Sequence, residues 1–171
     1  ACVTVAGSYR EETARVVLYT GLVLTGKGEA PIVVDLYPRS TLYSSLLGLP
    51  PRPSPISLAD PEKVRLSPRL AIPHHSGLRL LDALEGREKA GHIAHKDLQP
   101  LLDALLSAGT FILADLPLYY STEVVCEVAS RCAQVLLVTH ADPDSRRRAH
   151  AALAMIRRSG VGEERIGIVG I

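Results

Sequence analysis

Short runs of apolar, mostly β-branched residues recur along the chain and are separated by longer stretches with helical spacing. The runs cover residues 3–6, 32–35, 111–115, 135–139 and 166–169. Continuous apolar runs without polar alternation are typical of strands in a parallel sheet whose two faces are both covered by helices. The sequence therefore predicts an α/β fold: a three-layer, doubly wound, mostly parallel sheet with helices on both faces.

The segments between these runs divide into helices and irregular connections. Helical periodicity covers residues 11–25, 95–108, 121–133 and 144–159. Residues 48–69 contain six prolines, which predicts a stiff loop with one short helix near residues 60–64. Extended pieces near residues 70–72 and 78–81 predict an added strand or hairpin, and residues 86–95 predict a mobile connection.

Size and composition narrow the class of protein. A chain of 171 residues predicts a single domain spanning residues 1–171. A net charge of +1 and an aromatic fraction of 4% argue against nucleic acid as a partner. No apolar run approaches the length of a membrane span, and the odd number of widely spaced cysteines predicts reduced, buried thiols. We therefore expect a cytoplasmic protein.

Candidate site residues follow the strands directly. In open α/β sheets, ligands bind beyond the carboxyl ends of the strands. Gly7 follows the first run and leads into the helix that contains Thr13, Asp35 ends the second run, and Asp115 ends the third. A dinucleotide site is excluded, because Gly7 stands alone where the glycine-rich fingerprint of such sites would be.

The strand-end motifs carry a specific resemblance. They are Ile-Val-Val-Asp-Leu-x-Pro at residues 32–38, Phe-Ile-Leu-Ala-Asp-Leu-Pro at 111–117 and Val-Leu-Leu-Val-Thr at 135–139. In this order they resemble the ParA/MinD group of P-loop ATPases, which have a deviant Walker A motif. Residues 46–49, 75–81 and 131–142 are most similar to the CpaE/TadZ-type proteins of Flp (Tad) pilus assembly.

The resemblance implies a P-loop NTPase fold with a site for ATP and Mg²⁺ at Gly7, Thr13, Asp35 and Asp115. It also implies protein partners from the pilus secretion machinery, pairing of two copies across the nucleotide site, and indirect association with the inner face of the cell membrane. Family members carry further segments around this core, so we expect the chain to lack the C-terminal part of the family fold.

The phosphate-binding loop departs from the family pattern Lys-Gly-Gly-x-Gly-Lys-Thr. With Thr13 as the anchor, the catalytic lysine falls on Glu12, the preceding glycine on Glu11 and the signature lysine on Gly7. Two like charges about 4 Å apart at an effective dielectric constant of about 20 repel by about 4 kcal/mol. The carboxylates of Glu11 and Glu12 therefore oppose a bound triphosphate, which a helix dipole worth about 0.3–1 kcal/mol does not offset.

The second strand departs in the same direction. The family pattern there is Asp-x-Asp, and Tyr37 stands at its second position, where a phenol is not a base at neutral pH. The sequence thus predicts a pseudo-ATPase without catalytic residues and without a resident cofactor, ATP with Mg²⁺ being the only one expected at the degenerate site. Two alternatives stay open: a weakly hydrolysing ATPase that uses Thr13, Asp35 and Asp115, and a DNA-binding relative.

Simpler roles compete with these functional ones. Asp35 and Asp115 could cap turns, and Thr13 could be only an early helix residue. Arg10, Arg15 and Arg39 could form a substitute anion site, although a solvated surface is the favoured reading. Glu11 and Glu12 would repel their copies in a face-to-face dimer unless Arg10 or Arg39 crosses over.

Other side chains invite weaker hypotheses. Zinc binding at the pair His74 and His75, or at His92 and His95, is disfavoured because acidic or cysteine partners are missing nearby in the sequence. Cys126 and Cys132 are predicted to be core thiols. Basic residues 146–148, 157 and 158 predict a solvated helix face. Tyr119 and Tyr120 are either partner anchors or core residues.

Overall fold

The computed structural model describes residues 1–86 and 93–171. Its strands are β1 Cys2–Gly7, β2 Ile32–Asp35, β3 Ile56–Ser57, β4 Ile72–Pro73, β5 Arg79–Leu81, β6 Leu84–Glu85, β7 Ile112–Pro117, β8 Gln134–Thr139 and β9 Ile166–Gly170. Its helices are α1 Arg10–Gly26, α2 Leu42–Leu46, α3 Pro61–Leu70, α4 His95–Ser107, α5 Thr122–Arg131 and α6 Pro143–Arg158. Residues 87–92, which include His92 and much of the predicted mobile connection, lie outside the described residues.

A central sheet in the order β4-β5-β2-β7-β1-β8-β9 organises the described chain. Its neighbouring strands are parallel except for the antiparallel pair β4 and β5, and β3 and β6 form a separate small parallel ladder. The central strands are fully buried, which explains their uninterrupted apolar sequences. The predicted α/β fold with a mostly parallel sheet and helices between its strands is confirmed.

Two apolar layers cover the sheet. On one face, Ala14 and Val17 of α1 pack with Val33 and Leu113 of the sheet. On the other face, α3 to α6 contribute to a larger core in which the leucines of α4 pack with β2 and β7 residues. This three-layer arrangement brings the carboxyl ends of β1, β2 and β7 together at one edge, beside the first turn of α1.

The proline-rich segment is more regular than its sequence predicts. The predicted short helix near residues 60–64 extends over ten residues as α3 and includes Pro68. Asp60 starts it, because its side chain accepts hydrogen bonds from the amides of Glu62 and Lys63 at 3.0 and 3.3 Å. Pro61 occupies the first turn, where a missing N–H is tolerated. The prediction of a loop through residue 69 is therefore wrong for its second half.

The predicted hairpin is confirmed as β4 and β5. The short helix α2 and the ladder of β3 with β6 were not predicted, because each is too short to leave a periodic pattern. Among the described residues, no helix combines the length and the apolar character that crossing a bilayer requires.

Candidate functional site

Two aspartates stand side by side at the end of β2 and near the carboxyl end of β7. Asp35 and Asp115 are register partners in the parallel ladder, and both are fully buried. Asp35 lies two residues after Val33, and Asp115 lies two residues after Leu113. Val33 and Leu113 are core residues that pack beneath α1. Because side chains alternate along a strand, both carboxyl groups point to the α1 face of the sheet. The sequence prediction that strand ends bring these two residues together therefore agrees with the register.

The Asp35 carboxyl group is surrounded by donors. Its Oδ1 accepts a hydrogen bond from the Tyr37 amide at 3.0 Å, and its Oδ2 accepts one from the Ser40 hydroxyl. The Nη2 atom of Arg10 lies 3.4 Å from the same Oδ2 and also donates to the Ser40 hydroxyl. The guanidinium carbon of Arg10 sits 4.2 Å from the centre of the Tyr37 ring. Arg10 is thus the cation that faces the buried carboxyl pair.

This position of Arg10 corrects the sequence analysis, which favoured a solvated surface for Arg10, Arg15 and Arg39. Arg10 reaches inward from the first turn of α1, because that turn stands directly above the ends of β1 and β2. Arg15 is exposed as predicted, and Arg39 pairs with Glu85. The three arginines therefore do not converge on one anion site.

The Tyr43 hydroxyl donates a hydrogen bond to Oδ2 of the Asp115 carboxyl group at 2.8 Å. Its Oδ1 is buried without a hydrogen-bond partner among the described residues. Burial, and then repulsion from Asp35, raises the pKa of Asp115 to about 8, although Tyr43 and Arg10 act in the opposite direction. Burial also raises the pKa of Asp35, against the lowering effects of Ser40 and Arg10. At neutral pH the Asp115 carboxyl group is therefore largely protonated.

The loop that should cradle phosphate is short. Strand β1 ends at Gly7 and α1 begins at Arg10, so only Ser8 and Tyr9 lie between them. The Thr13 amide and hydroxyl both donate to the Tyr9 carbonyl, at 3.0 and 2.8 Å. Thr13 is fully buried, and a Cβ atom on Gly7 would overlap its hydroxyl oxygen. The Thr13 hydroxyl is thereby held inside the helix start and packed on Gly7.

These residues do not fit ATP with Mg²⁺ in this conformation. Mg²⁺ requires several oxygen ligands in a near-octahedral arrangement, usually including waters. Here the Thr13 hydroxyl donates to the Tyr9 carbonyl, the Asp35 carboxylate faces Arg10, and the Asp115 carboxyl group is fully buried against the Tyr43 hydroxyl. No group of three or more metal-binding side chains occurs in residues 1–86 and 93–171.

The tyrosines after β2 and β7 have different environments. Tyr120 is buried and donates to the Leu36 carbonyl at 2.5 Å, so it is a core residue. Tyr119 is 63% exposed and packs edge-on against Tyr37, with 5.8 Å between the ring centres. Of the two roles considered for this pair, Tyr120 fits that of a core residue, and the exposure of Tyr119 suits that of a partner anchor. Burial raises the pKa of Tyr37 above its usual value, so its phenol stays neutral and cannot act as a base.

The remaining candidates take ordinary structural roles. His74 contacts Ser76 through Nδ1 at 2.8 Å, and His95 lies 3.5 Å from a Glu127 carboxylate oxygen. On α6, residues 146–148, 157 and 158 are exposed, as predicted for a solvated face. The thiols of Cys2 and Cys132 lie side by side in the core, whereas Cys126 is only half-buried, so its prediction as a core thiol is only partly right.

Sequence reasoning missed two groups that shape this site. Tyr43 belongs to α2, which is too short to be recognised, yet its hydroxyl reaches the carboxyl group of Asp115, which lies 72 positions later in the chain. Asp82 is fully buried and is paired with Arg52 at 3.0 Å and with the Ser44 hydroxyl. A polar residue inside an apolar stretch, as at Asp82, is the only sequence signal that could have pointed to the second group.

Comparison with known proteins identifies the fold of the chain. No protein-family model and no curated protein matches the chain. A ParA family ATPase from Chlorobium tepidum is 18% identical, with a TM-score of 0.73 over 99% of this chain and 72% of that one. A chain of the MinC:MinD cell division complex from Aquifex aeolicus is 14% identical, with a TM-score of 0.75 over 99% of this chain and 67% of that one.

Cobyrinic acid a,c-diamide synthase from Mycobacterium smegmatis, solved with an ATP analog and magnesium, is 21% identical. Its TM-score is 0.69, over 98% of this chain and 71% of that one. At such low identities the likeness establishes the fold alone. This chain therefore has the fold of ParA/MinD-type P-loop ATPases, as the sequence motifs implied.

Proposed function

We propose that this chain is a pseudo-ATPase of the ParA/MinD fold that acts as a localisation and assembly scaffold for Flp/Tad pilus secretion machinery. The observation that carries the proposal is the ion pair of Arg10 with Asp35, whose nearest atoms are 3.4 Å apart. The chain supplies its own cation to the strand-end carboxylates, in place of a metal ion that would arrive with a nucleotide.

The helix start supports the same proposal. Phosphate binding at a helix N-terminus needs free backbone N–H groups and a concave loop that lets the anion approach. Here only Ser8 and Tyr9 lie between β1 and α1, and the first turn of α1 carries Glu11 and Glu12. These acidic side chains interact favourably with the positive end of the helix dipole, and they repel a triphosphate.

The site also lacks the chemical groups that ATP hydrolysis requires. Phosphoryl transfer depends on positioning and on stabilising the charge of the transferred group. Tyr37 stands where the family has its second carboxylate, and burial raises the pKa of its phenol, so it supplies no base at neutral pH. The Asp35 carboxylate is engaged by Arg10. We assign no catalytic residue, and Gly7, Thr13, Asp35 and Asp115 form the remnant of a nucleotide site.

The scaffold role rests on the resemblance to CpaE/TadZ-type proteins and on the exposed aromatic surface near the remnant site. Tyr119 is 63% exposed next to the end of β7, which suits an anchor for a protein partner. The partners proposed are components of the pilus secretion machinery, through which the chain associates indirectly with the inner membrane face. Pairing of two copies is proposed only with a contribution from Arg10 or Arg39, since Glu11 and Glu12 would otherwise repel.

A phosphate-release assay tests the inactive site. We expect no multiple turnover of Mg-ATP by the purified protein, and turnover would contradict the proposal. The matched control is Asp115→Asn, which removes a strand-end carboxyl group. Activity that survives this substitution belongs to a contaminant, whereas activity that disappears with it belongs to the chain.

Co-purification tests the scaffold role. Tyr119→Ser is expected to reduce retention of the Flp/Tad secretion proteins. Tyr19→Ser is the control, because Tyr19 is 71% exposed but lies on α1, away from this edge of the sheet. Equal retention by both variants, or no retention by the parent protein, would contradict the role assigned to this surface.

The second candidate function is a weakly hydrolysing ATPase switch. Retention of Asp35 and Asp115 at neighbouring strand ends favours it. It requires Arg10 to leave Asp35 when Mg-ATP arrives. Thermal stabilisation separates the two candidates, because a ligand at 100 times its dissociation constant stabilises the folded state by about 2.7 kcal/mol.

A further inference from the structure

Two cysteines that lie 130 positions apart in the sequence meet in the core of the described chain. Cys2 begins β1, and Cys132 directly follows α5. Both are free thiols, and their sulfur atoms are 2.7 Å apart. Packing contacts between non-bonded carbon atoms are longer, about 3.5–4.0 Å, whereas a disulfide bond is about 2.0 Å long. The two sulfurs are therefore closer than packing requires, and an approach of less than about 1 Å would bond them.

The backbone around the pair fits a disulfide as well. Val3 and Gln134 are register partners in the parallel ladder of β1 with β8. One residue earlier, the Ala133 amide donates to the Cys2 carbonyl at 2.7 Å, so the residue next to Cys132 is already bonded to Cys2. Neighbouring strands lie about 4.7–4.9 Å apart, and disulfides join Cα atoms about 4.4–6.8 Å apart. A bridge between these side chains is therefore compatible with the positions of both strands.

Arg165 fixes the segment that carries Cys132. Its Nη2 atom donates to the carbonyl of Ser130 at 3.1 Å and to that of Cys132. Cys2 is held in turn by β7 and β8, which flank β1 on its two sides. Both thiols also belong to the larger apolar core, where close packing leaves side chains little freedom. The contact of the two sulfurs is therefore a fixed feature of the fold.

We propose that Cys2 and Cys132 are a redox-active thiol pair, which hydrogen peroxide converts into a disulfide that ties β1 to the connection between α5 and β8. Disulfides of this kind in reducing compartments are usually transient and redox-sensing, and thiols reverse them. Cys2 is at the amino end of β1, whereas the remnant nucleotide site is at its carboxyl end. The proposal therefore does not depend on the pseudo-ATPase or scaffold roles.

The reaction needs peroxide as its only co-reactant. The Cys2 sulfur attacks one peroxide oxygen, the O–O bond breaks, and the thiol proton leaves with the other oxygen as water, so that Cys2 becomes a sulfenic acid. The Cys132 sulfur then bonds to the Cys2 sulfur and displaces the sulfenic oxygen, which leaves with the Cys132 thiol proton as a second water. The two sulfurs together lose two electrons, and one peroxide is reduced to two waters.

The two thiols have different roles in this sequence of steps. The hydrogen bond with Cys2, and then burial, raises the pKa of the Cys132 thiol far above its usual range, so Cys132 keeps its proton. Cys132 is therefore the S–H donor in the contact, and Cys2 is the sulfur that reacts with peroxide. Cys2 and Cys132 are only 2% and 0% exposed, so the oxidant has to be about as small as water.

Peptide mapping without reduction tests the pair directly. The reduced full chain is treated with hydrogen peroxide in its native state, alkylated in denaturant and digested for mass spectrometry. We expect one cross-linked peptide pair, which joins Cys2 to Cys132 and has lost two hydrogens. The control is the same oxidation in urea, where the entropy of loop closure favours Cys126 with Cys132, which are much closer in sequence.

Thermal unfolding measures what the bridge does to the fold. In the Cys126→Ser protein, which keeps only the proposed pair, peroxide should raise the melting temperature by about 5–15 °C, because the bridge closes a long loop in the unfolded chain. Dithiothreitol should reverse the rise. The matched control adds Cys132→Ala, and peroxide should then give no rise. Peptide mapping needs no substitution in the core, so it decides the question even if this control does not fold.

A native cross-link between Cys2 and Cys132, with a reversible rise in melting temperature, supports the proposal. Recovery of both residues as free thiols under conditions that fully oxidise Cys126 would overturn it. Oxidation of Cys2 to a sulfinic acid without a bridge would overturn it too. A bridge that forms equally well in urea would have the same consequence, because the native contact would then not select the pair.

Discussion

Arg10 and Asp35 form an ion pair that joins the first turn of α1 to the end of β2, with Nη2 and Oδ2 3.4 Å apart. The Asp35 side chain is fully buried, whereas that of Arg10 is 36% exposed. The pair therefore brings a partly solvated cation to a buried anion, next to a second buried carboxyl group. Removing one charge of this pair leaves the other uncompensated, which destabilises the folded protein.

Arg10→Gln should lower the free energy of unfolding by about 1–3 kcal/mol at neutral pH. The value expected for breaking a fully buried pair is larger, about 3–5 kcal/mol, and the exposure of Arg10 reduces it. Urea denaturation measures the change. Arg15→Gln, an exposed change on the same helix, should stay within about 0.5 kcal/mol. Equal effects of the two substitutions would show that Arg10 does not compensate Asp35.

Asp115 should make the protein less stable as pH rises. Its pKa is about 8 in the folded protein against a usual value of 3.8, so the folded state binds more protons than the unfolded state between these values. Stability is therefore fullest below the usual carboxyl pKa and is lost as pH rises toward 8. The slope contributed by one such group is at most about 1.4 kcal/mol per pH unit.

Asp115→Asn should flatten this slope, which urea denaturation at a series of pH values measures. Asp144→Asn is the control, because Asp144 is an exposed carboxylate, 67% accessible, on α6. The control should keep the parent slope. An Asp115→Asn protein whose stability still falls with pH as in the parent would contradict the protonation state assigned to Asp115.

Tyr43→Phe should destabilise the fold by about 1–3 kcal/mol, because it leaves the buried Asp115 carboxyl group without its donor. The same hydrogen bond lowers the pKa of Asp115, so its loss should also move the pH-dependent decline of stability to higher pH. Tyr19→Phe removes an equivalent hydroxyl from a side chain that is 71% exposed and should change neither property. No effect at Tyr43 would mean that the hydrogen bond is not formed in solution.

Native thiol labelling should find one fast-reacting cysteine, Cys126. Cys2 and Cys132 are buried side by side, and the contact with Cys2, together with burial, raises the pKa of the Cys132 thiol far above its usual value. An aromatic disulfide reagent should therefore show one fast thiol per folded chain and three after unfolding. Cys126→Ser should abolish the fast phase, and its persistence would show that the buried pair is accessible.

The sequence was sufficient for the sheet and its edge, because buried parallel strands leave long apolar runs and end at polar residues such as Asp35 and Asp115. It was insufficient for the contacts at that edge. In the sequence, Arg10 is indistinguishable from an ordinary residue of a first helical turn. Its side chain points toward Asp35 only because α1 begins above the end of β2. Tyr43 approaches Asp115 from a helix of five residues, which leaves no periodic signal. The full length of α3 was not predicted because Pro61 and Pro68 suggest a loop, although the first and last turns of the helix accommodate them.

Calorimetric titration of Mg-ATP into the purified protein tests the central claim most directly, that Arg10 and the first turn of α1 occupy the place of a nucleotide's phosphates and metal. The account predicts no saturable heat of binding. Saturable binding with a low-micromolar dissociation constant would contradict it.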